Sequence, residues 1–374
     1  MNFDKLTAYL DNLHTMGVPG CDLVVYQDHE VVYRHFTGSA DAEGKIPMQG
    51  NETYCLYSCS KVVTTLAIMQ LIGRKQLFLD APVADYLPAF ANLMVKDGEE
   101  IRPAKRVMTI RHLMSMQGGL DYDWAPIRDA IDALGEEATT RQVVELMAKK
   151  PLLFEPGENY QYSLCHDVLA AVVEVVSGQK FSDYLKEHIF APLGLSTISF
   201  DFTPDILERL CAKYRMNEKE EPIPVRADEI AYRLAPRYES GGAGLISDVH
   251  DYARILDAIA CEGETEKGEK LLSPQMIQLW SANQLGFASR RTFDHMHRLG
   301  YSYALGVRTR VNTRIGGKGT LGEFGWDGAA GAWGMIDPSH HLSAVYAQHI
   351  LGHGNVYTGI HPVIRSLIYE CMEL

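Results

Sequence analysis

Ser58 and Lys61 stand three residues apart in "LYSCSKVVTTLAIMQLI", at the head of an apolar run. A serine hydroxyl is a weak nucleophile until a base takes its proton. Residues three apart on a helix share a face, which would bring the Lys61 amine to the Ser58 hydroxyl. Burial disfavours the charged form of a lysine and so favours an amine that accepts a proton. The first N–H groups of a helix have no partner within it, so the Ser58 N–H would be available to a developing oxyanion. The same residues also fit a plainer role, Ser58 as the cap of a buried helix. A chain of this length holds about one Ser-x-x-Lys by chance. A second match, Ser177 to Lys180, straddles a Ser-Gly turn and reads as a cap. Spacing alone leaves both readings open.

Other candidates are weaker on their own. Tyr162 in "YSL" reads as a core aromatic. Trp326, Asp327, Gly328 and Ala329 read as a strand relieved by glycine. Tyr122 and Trp124 in "GLDYDWAP" suit a pocket wall or the packing of helices. Cys59 adjoins Ser58 and Cys165 adjoins His166, but neighbours on a helix do not face each other, so small buried residues are the better reading. His295 with His297, and His340 with His341, lack further donors at a recognisable metal spacing. No metal and no cofactor is expected.

These residues need a scaffold, and the pattern supplies one. "CDLVVYQDHEVVYRHFTG" reads as two strands around Asp28, His29 and Glu30. The N-terminus predicts a helix with Phe3, Leu6, Leu10 and Leu13 on one face, stopped at Gly17. The helix after Ser58 is apolar nearly all round, hence buried on most sides, and ends at Gly73. Helical signals dominate residues 76–235, including "TRQVVELMAKK" and "CHDVLAAVVEVVSG". "YESGGAGLISDVHDYARIL" is a glycine-rich bend before an amphipathic helix. Strands return in "YSYALGVRT", "FGWDGAAGAWGMIDP" and "HLSAVYAQH", and a helix closes the chain. The order implies an α/β (α+β) fold. Residues 1–75 and 236–374 would form one mixed, mainly antiparallel sheet flanked by helices, with 76–235 an inserted all-helical lobe and a cleft between them.

The 374 residues, 46% hydrophobic, can bury a large core without staples. A formal charge of −13 argues against nucleic acid or an anionic membrane as partner. Seven scattered cysteines without a Cys-x-x-Cys pair suit a reducing compartment. No secretory signal or transmembrane run is visible, so a cytoplasmic location is expected. Oligomeric state is not legible.

Several ordered segments together are more specific than any one motif. "YSCSKVVTTLAIMQLI", "LDAPVADYLPAF", "MTIRHLMSMQGGL", "FEPGENYQYSLCHDVLAAVVEVVSG", "GGAGLISDVHDYARIL" and "FGWDGAAGAW" resemble, in that order, the serine β-lactamase and penicillin-recognising superfamily, specifically its class C-like branch. The resemblance implies the β-lactamase/transpeptidase-like fold. It implies Ser58 as nucleophile, with Lys61 helping to deprotonate it and Tyr162 as general base or proton shuttle. It implies the Ser58 and Ala329 N–H groups as oxyanion donors, with Gly328 letting the backbone approach the substrate. Two departures narrow the activity. Leu164 replaces the Asn of Tyr-x-Asn, and Trp326 replaces a Lys or His that would pair with a substrate carboxylate. Both resemble esterase-like members. Asp327 would repel anionic substrates if it pointed into the cleft and would be harmless if it pointed away. The resemblance thus implies a serine hydrolase that acts on carboxylic esters through an acyl-enzyme, with a small-molecule ester or amide as its partner. A β-lactamase or D-amino-acid peptidase, an acyltransferase and a catalytically silent ligand-binding relative are the alternatives.

Overall fold

A computed structural model describes every residue except 126–127, 136, 227–234, 236 and 295–298. The two expected N-terminal strands are β1 (Gly20–Gln27) and β2 (Glu30–Gly38). Asp28 and His29 join them with φ of 51° and 68°, the geometry of a two-residue turn matched to strand twist. The C-terminal half supplies β3 (Tyr301–Tyr303), β4 (Arg308–Arg310), β5 (Phe324–Gly325), β6 (Trp333–Asp337) and β7 (Leu342–Ala347). Among the described residues these seven form one antiparallel sheet, ordered β2-β1-β7-β6-β5-β4-β3. The two chain ends meet where β1 pairs with β7, Val24 opposite Val345.

Two of the stretches where strands were expected to return are hairpins. "YSYALGVRT" breaks at Gly306 (φ 74°), where a Cβ would lie 2.1 Å from Thr65 Oγ1 and 2.5 Å from His166 Nε2. "FGWDGAAGAWGMIDP" turns around Gly328 and Gly331, so that Asp327 bridges back to Trp333. Glycine relieves each turn, and the pattern of apolar residues does not reveal it.

The helices that position the site are α1 (Asp4–Asp11), α2 (Ser60–Gly73), α3 (Cys165–Ser177), α4 (Val249–Ala260) and α5 (His361–Cys371). Alternation along β1 sorts them into two layers. Leu23 and Val25 pack with Leu6 and Leu10 of α1 and with Ile364 and Ile368 of α5. Val24 and Tyr26 join the cluster of α2, α3 and α4 on the other face. The α2 helix is buried on nearly every side, as its unbroken apolar sequence requires. The middle of the chain is largely helical, but it also holds two short hairpins absent from the sequence reading: Met94–Asp97 with Glu100–Pro103, and Tyr214–Met216 with Pro222–Pro224. Among the described residues no helix is long and apolar enough to cross a membrane.

Candidate active site

Ser58 is presented by a sharp turn. Strand residues Thr53–Cys55 pair with Ile246–Asp248, and the chain then bends at Tyr57, whose φ is 45°. A non-glycine residue in this region is uncommon and costs of order 1–3 kcal/mol, so its surroundings must hold it. The buried Lys213 Nζ donates to the Tyr57 hydroxyl at 2.7 Å and lies over its ring. A 3-10 turn, Tyr57–Cys59, leads into α2. Among the described residues no side chain caps either element. Ser58 Oγ instead accepts from Lys61 Nζ at 3.1 Å.

Lys61 is fully buried. An ammonium there is tolerable only if its donors are used. Besides Ser58, it donates to Tyr122 Oη (3.1 Å) and to the Gly242 carbonyl (2.8 Å). The glycine-rich bend therefore has a definite task. A Cβ on Gly242 would lie 2.6 Å from Asp167 Oδ2 and 3.4 Å from Lys61 Nζ. Asp167, on the first turn of α3, is fully buried and accepts from Ser240 Oγ (2.6 Å) and the Tyr238 hydroxyl. Burial pushes its carboxyl up, while those two hydroxyls and the charge of Lys61 pull it back. His166 beside it is driven well below the usual imidazole range, first by burial and then by Lys61.

Two phenols flank the lysine. Tyr122, 38% exposed, bonds Lys61 through its oxygen. Tyr162 offers Lys61 its ring face, 4.7 Å from Nζ to the centroid. Tyr162 Oη accepts from Trp326 Nε1 at 2.9 Å. Trp326 is 1% exposed and packs edge-on against Tyr303, so its indole N–H serves Tyr162. Lys61 thus meets the hydroxyl of Tyr122 and the ring of Tyr162.

The strand carrying Trp326 is knitted to the serine turn. Cys59 Sγ lies 3.7 Å from the Trp326 carbonyl, and a Cβ on Gly328 would come within 2.3 Å of the Leu56 carbonyl. Gly328 is therefore required for contact between two protein backbones, where the sequence reading had the substrate. Ala329 is exposed at the tip of the same turn, and Tyr357 Oη donates to the carbonyls of Gly328 (3.0 Å) and Ala329 (3.1 Å) from behind. Asp327 points away from Trp326 and forms a buried ion pair with Arg308 at 2.6 Å.

The remaining candidates have other partners. Trp124 is buried in the wall of a small cavity with Leu120, Met147 and Leu164. Cys165 meets Ser163, and His166 meets Thr65. His340 bonds Asp337, and His341 bonds Asp28. His295 and His297 lie outside the described residues. Asp167, Gly242 and Lys213 were not singled out as site residues, since only the fold brings them to the turn.

The chain belongs to the Beta-lactamase family, whose model matches residues 6–358. It is 32% identical to "Esterase EstB" of Burkholderia gladioli over 284 residues, 68% of this chain and 69% of that protein. It is 27% identical to "Monacolin J acid methylbutanoyltransferase" of Aspergillus terreus over 244 residues, 62% and 57% of the two chains. Among solved structures it resembles "EstCE1, a hydrolase with promiscuous acyltransferase activity", with a TM-score of 0.82, 26% identity and 98% of both chains covered.

Proposed function

We propose that the protein hydrolyses neutral carboxylic esters through an acyl-enzyme on Ser58. The observation that carries this reading is the 3.1 Å contact between Ser58 Oγ and the buried Lys61 Nζ. With Lys61 as the free amine, the hydroxyl donates in that contact. Ser58 Oγ attacks the ester carbonyl as its proton passes to Lys61. The N–H groups of Ser58 and Ala329 receive the oxyanion. Tyr162, its oxygen held by Trp326, protonates the leaving alcohol, and Tyr122 holds the lysine in reach. Water then attacks the acyl carbonyl and gives its proton to the Tyr162 phenolate, while the departing Ser58 oxygen takes back the proton held by Lys61, so that all three residues return to their starting state.

Ester preference rests on Trp326, which stands where a carboxylate-binding cation would be and spends its N–H on Tyr162. Asp327, turned away and neutralised by Arg308, adds no barrier to acyl groups. The likeness to EstCE1 and to a methylbutanoyltransferase supports a second outcome, an alcohol replacing water as acceptor.

The test is p-nitrophenyl butyrate hydrolysis by wild type and Ser58→Ala, with a chromogenic cephalosporin and a D-Ala-D-Ala peptide alongside. Ester turnover that vanishes in the variant, with the other two slower, is the expected result. Equal ester rates in the two proteins would remove Ser58 from the chemistry. Faster cephalosporin or peptide turnover would replace the esterase reading, and added alcohol that diverts the acyl group into a new ester would make the protein an acyltransferase.

A further inference from the structure

His29, Asp257 and Cys261 meet at the end of the β1–β2 hairpin, and their donor atoms all lie within 4.8 Å of one another. The fold has to do two things to achieve this. The left-handed turn at Asp28 and His29 folds the imidazole over α4, and the i, i+4 spacing sets Asp257 and Cys261 on one face at the end of that helix. His29 Nδ1 is 2.7 Å from Asp257 Oδ2, and Cys261 Sγ is 3.7 Å from Asp257 Oδ1.

We infer that these three side chains form a binding site for a divalent transition metal, zinc by preference. A nitrogen, an oxygen and a sulfur donor are the mix that zinc takes, whereas magnesium and calcium avoid sulfur. Zinc bonds of about 2.0–2.3 Å place tetrahedral donors roughly 3.3–3.8 Å apart. The Cys261 sulfur already fits Oδ1, while His29 lies against the other carboxylate oxygen, Oδ2, so the imidazole and the carboxylate have to shift by roughly 1 Å to share one ion. Asp257 and Cys261 are 5% and 7% exposed. Without a cation, burial favours the protonated form of both, and Cys261 is pushed up to about 12. A dication reverses that preference, and the thiol proton leaves to solvent as the metal–sulfur bond forms. The fourth position falls to water or to a group from the adjoining cavity of about 440 Å³, which His29 and Asp257 line together with Glu30 and His250. The metal would tie the sheet edge to α4, a contact that the sequence could not reveal because His29 lies 228 residues from Asp257.

The test uses full-length protein stripped with chelator, dialysed, and titrated with Co²⁺ and Zn²⁺. Tight uptake of about one metal per chain, a thiolate-to-cobalt charge-transfer band, and a rise in Tm with Zn²⁺ are expected. Cys261→Ser should abolish the band and Asp257→Asn should weaken uptake. His29→Asn tests the third ligand while tolerating the left-handed turn. Absence of tight metal uptake, or a band that survives in Cys261→Ser, would overturn the site and leave a hydrogen-bonded trio. These readouts do not involve Ser58, so the outcome is independent of the esterase reading.

Discussion

Trp326→Phe isolates the part that the indole N–H plays. Phenylalanine keeps an aromatic ring between Tyr162 and Tyr303, whose centroids lie 5.4 and 5.1 Å from that of Trp326. It removes the donor 2.9 Å from Tyr162 Oη. A neutral hydrogen bond contributes about 0.5–1.5 kcal/mol, and the donor of this one is buried, so the upper end applies. About 1.4 kcal/mol is a tenfold change in rate. The variant should lose about tenfold in kcat/KM toward p-nitrophenyl butyrate, mostly in kcat, because the bond orients a proton donor rather than the ester. The ring is also smaller, so stability will fall, and urea unfolding measured in parallel separates that loss from the rate. A cycle with Tyr162→Phe decides the matter. If Trp326 acts through the Tyr162 hydroxyl, its tenfold penalty should nearly vanish once that hydroxyl is gone. An equal penalty in both backgrounds, or none in wild type, would refute the reasoning.

Tyr122→Phe removes an oxygen that accepts from Lys61. Lys61 becomes charged as it takes the Ser58 proton, and a bond to a charged group contributes about 1.5–3 kcal/mol, so kcat/KM should fall about 10- to 100-fold; unchanged kinetics would exclude Tyr122 from holding the lysine. Gly328→Ala forces a Cβ against the Leu56 carbonyl, and overpacking of about 1–3 kcal/mol should push the turn away from Ser58. Activity should therefore fall further than stability, as measured by ester turnover and urea unfolding; full activity would show that the turn can give. His349 is buried and accepts from the Cys55 N–H at 3.3 Å while facing the Cys211 carbonyl at 2.9 Å. Burial pushes its imidazole down to about 4 from 6.5. Between those values the unfolded chain binds a proton that the native protein does not, so stability falls as pH drops through the interval, by roughly 3 kcal/mol in all. His349→Gln, which can keep both hydrogen bonds, should flatten the pH dependence of urea unfolding between pH 7 and 4; parallel curves would rule out this contribution.

The sequence made the scaffold legible where burial is regular. The two faces of β1 alternate as written, and α2 is buried as its composition requires. Legibility ended where glycine reverses the chain. Gly306 and Gly328 sit inside apolar stretches that read as strands, and each yields to a steric demand from a distant residue, Thr65 in one case and Leu56 in the other. Local pattern carries no information about such demands. The same limit governs the site. Ser58 and Lys61 are neighbours in sequence, so their contact could be anticipated from spacing. Lys61 and Gly242 are 181 residues apart, and Lys213 and Tyr57 are 156 apart. Those contacts exist only through the fold.

Trp326 and Asp327 show how one such step joins chemistry to stability. Adjacent residues in an extended segment face opposite ways. Trp326 therefore reaches Tyr162 while Asp327 reaches Arg308 behind the strand. Asp327 and Arg308 are 5% and 3% exposed, and removing one partner of such a pair strands a buried charge at a cost of about 3–5 kcal/mol. The pair thus fixes the strand from its back while the indole orients the phenol from its front. An aspartate that the sequence left as either repelling anionic substrates or harmless becomes a reason why Trp326 holds its place. A neutral residue at 327 would relieve no repulsion in the cleft, because the charge is not there, and would instead loosen the strand that Tyr162 depends on.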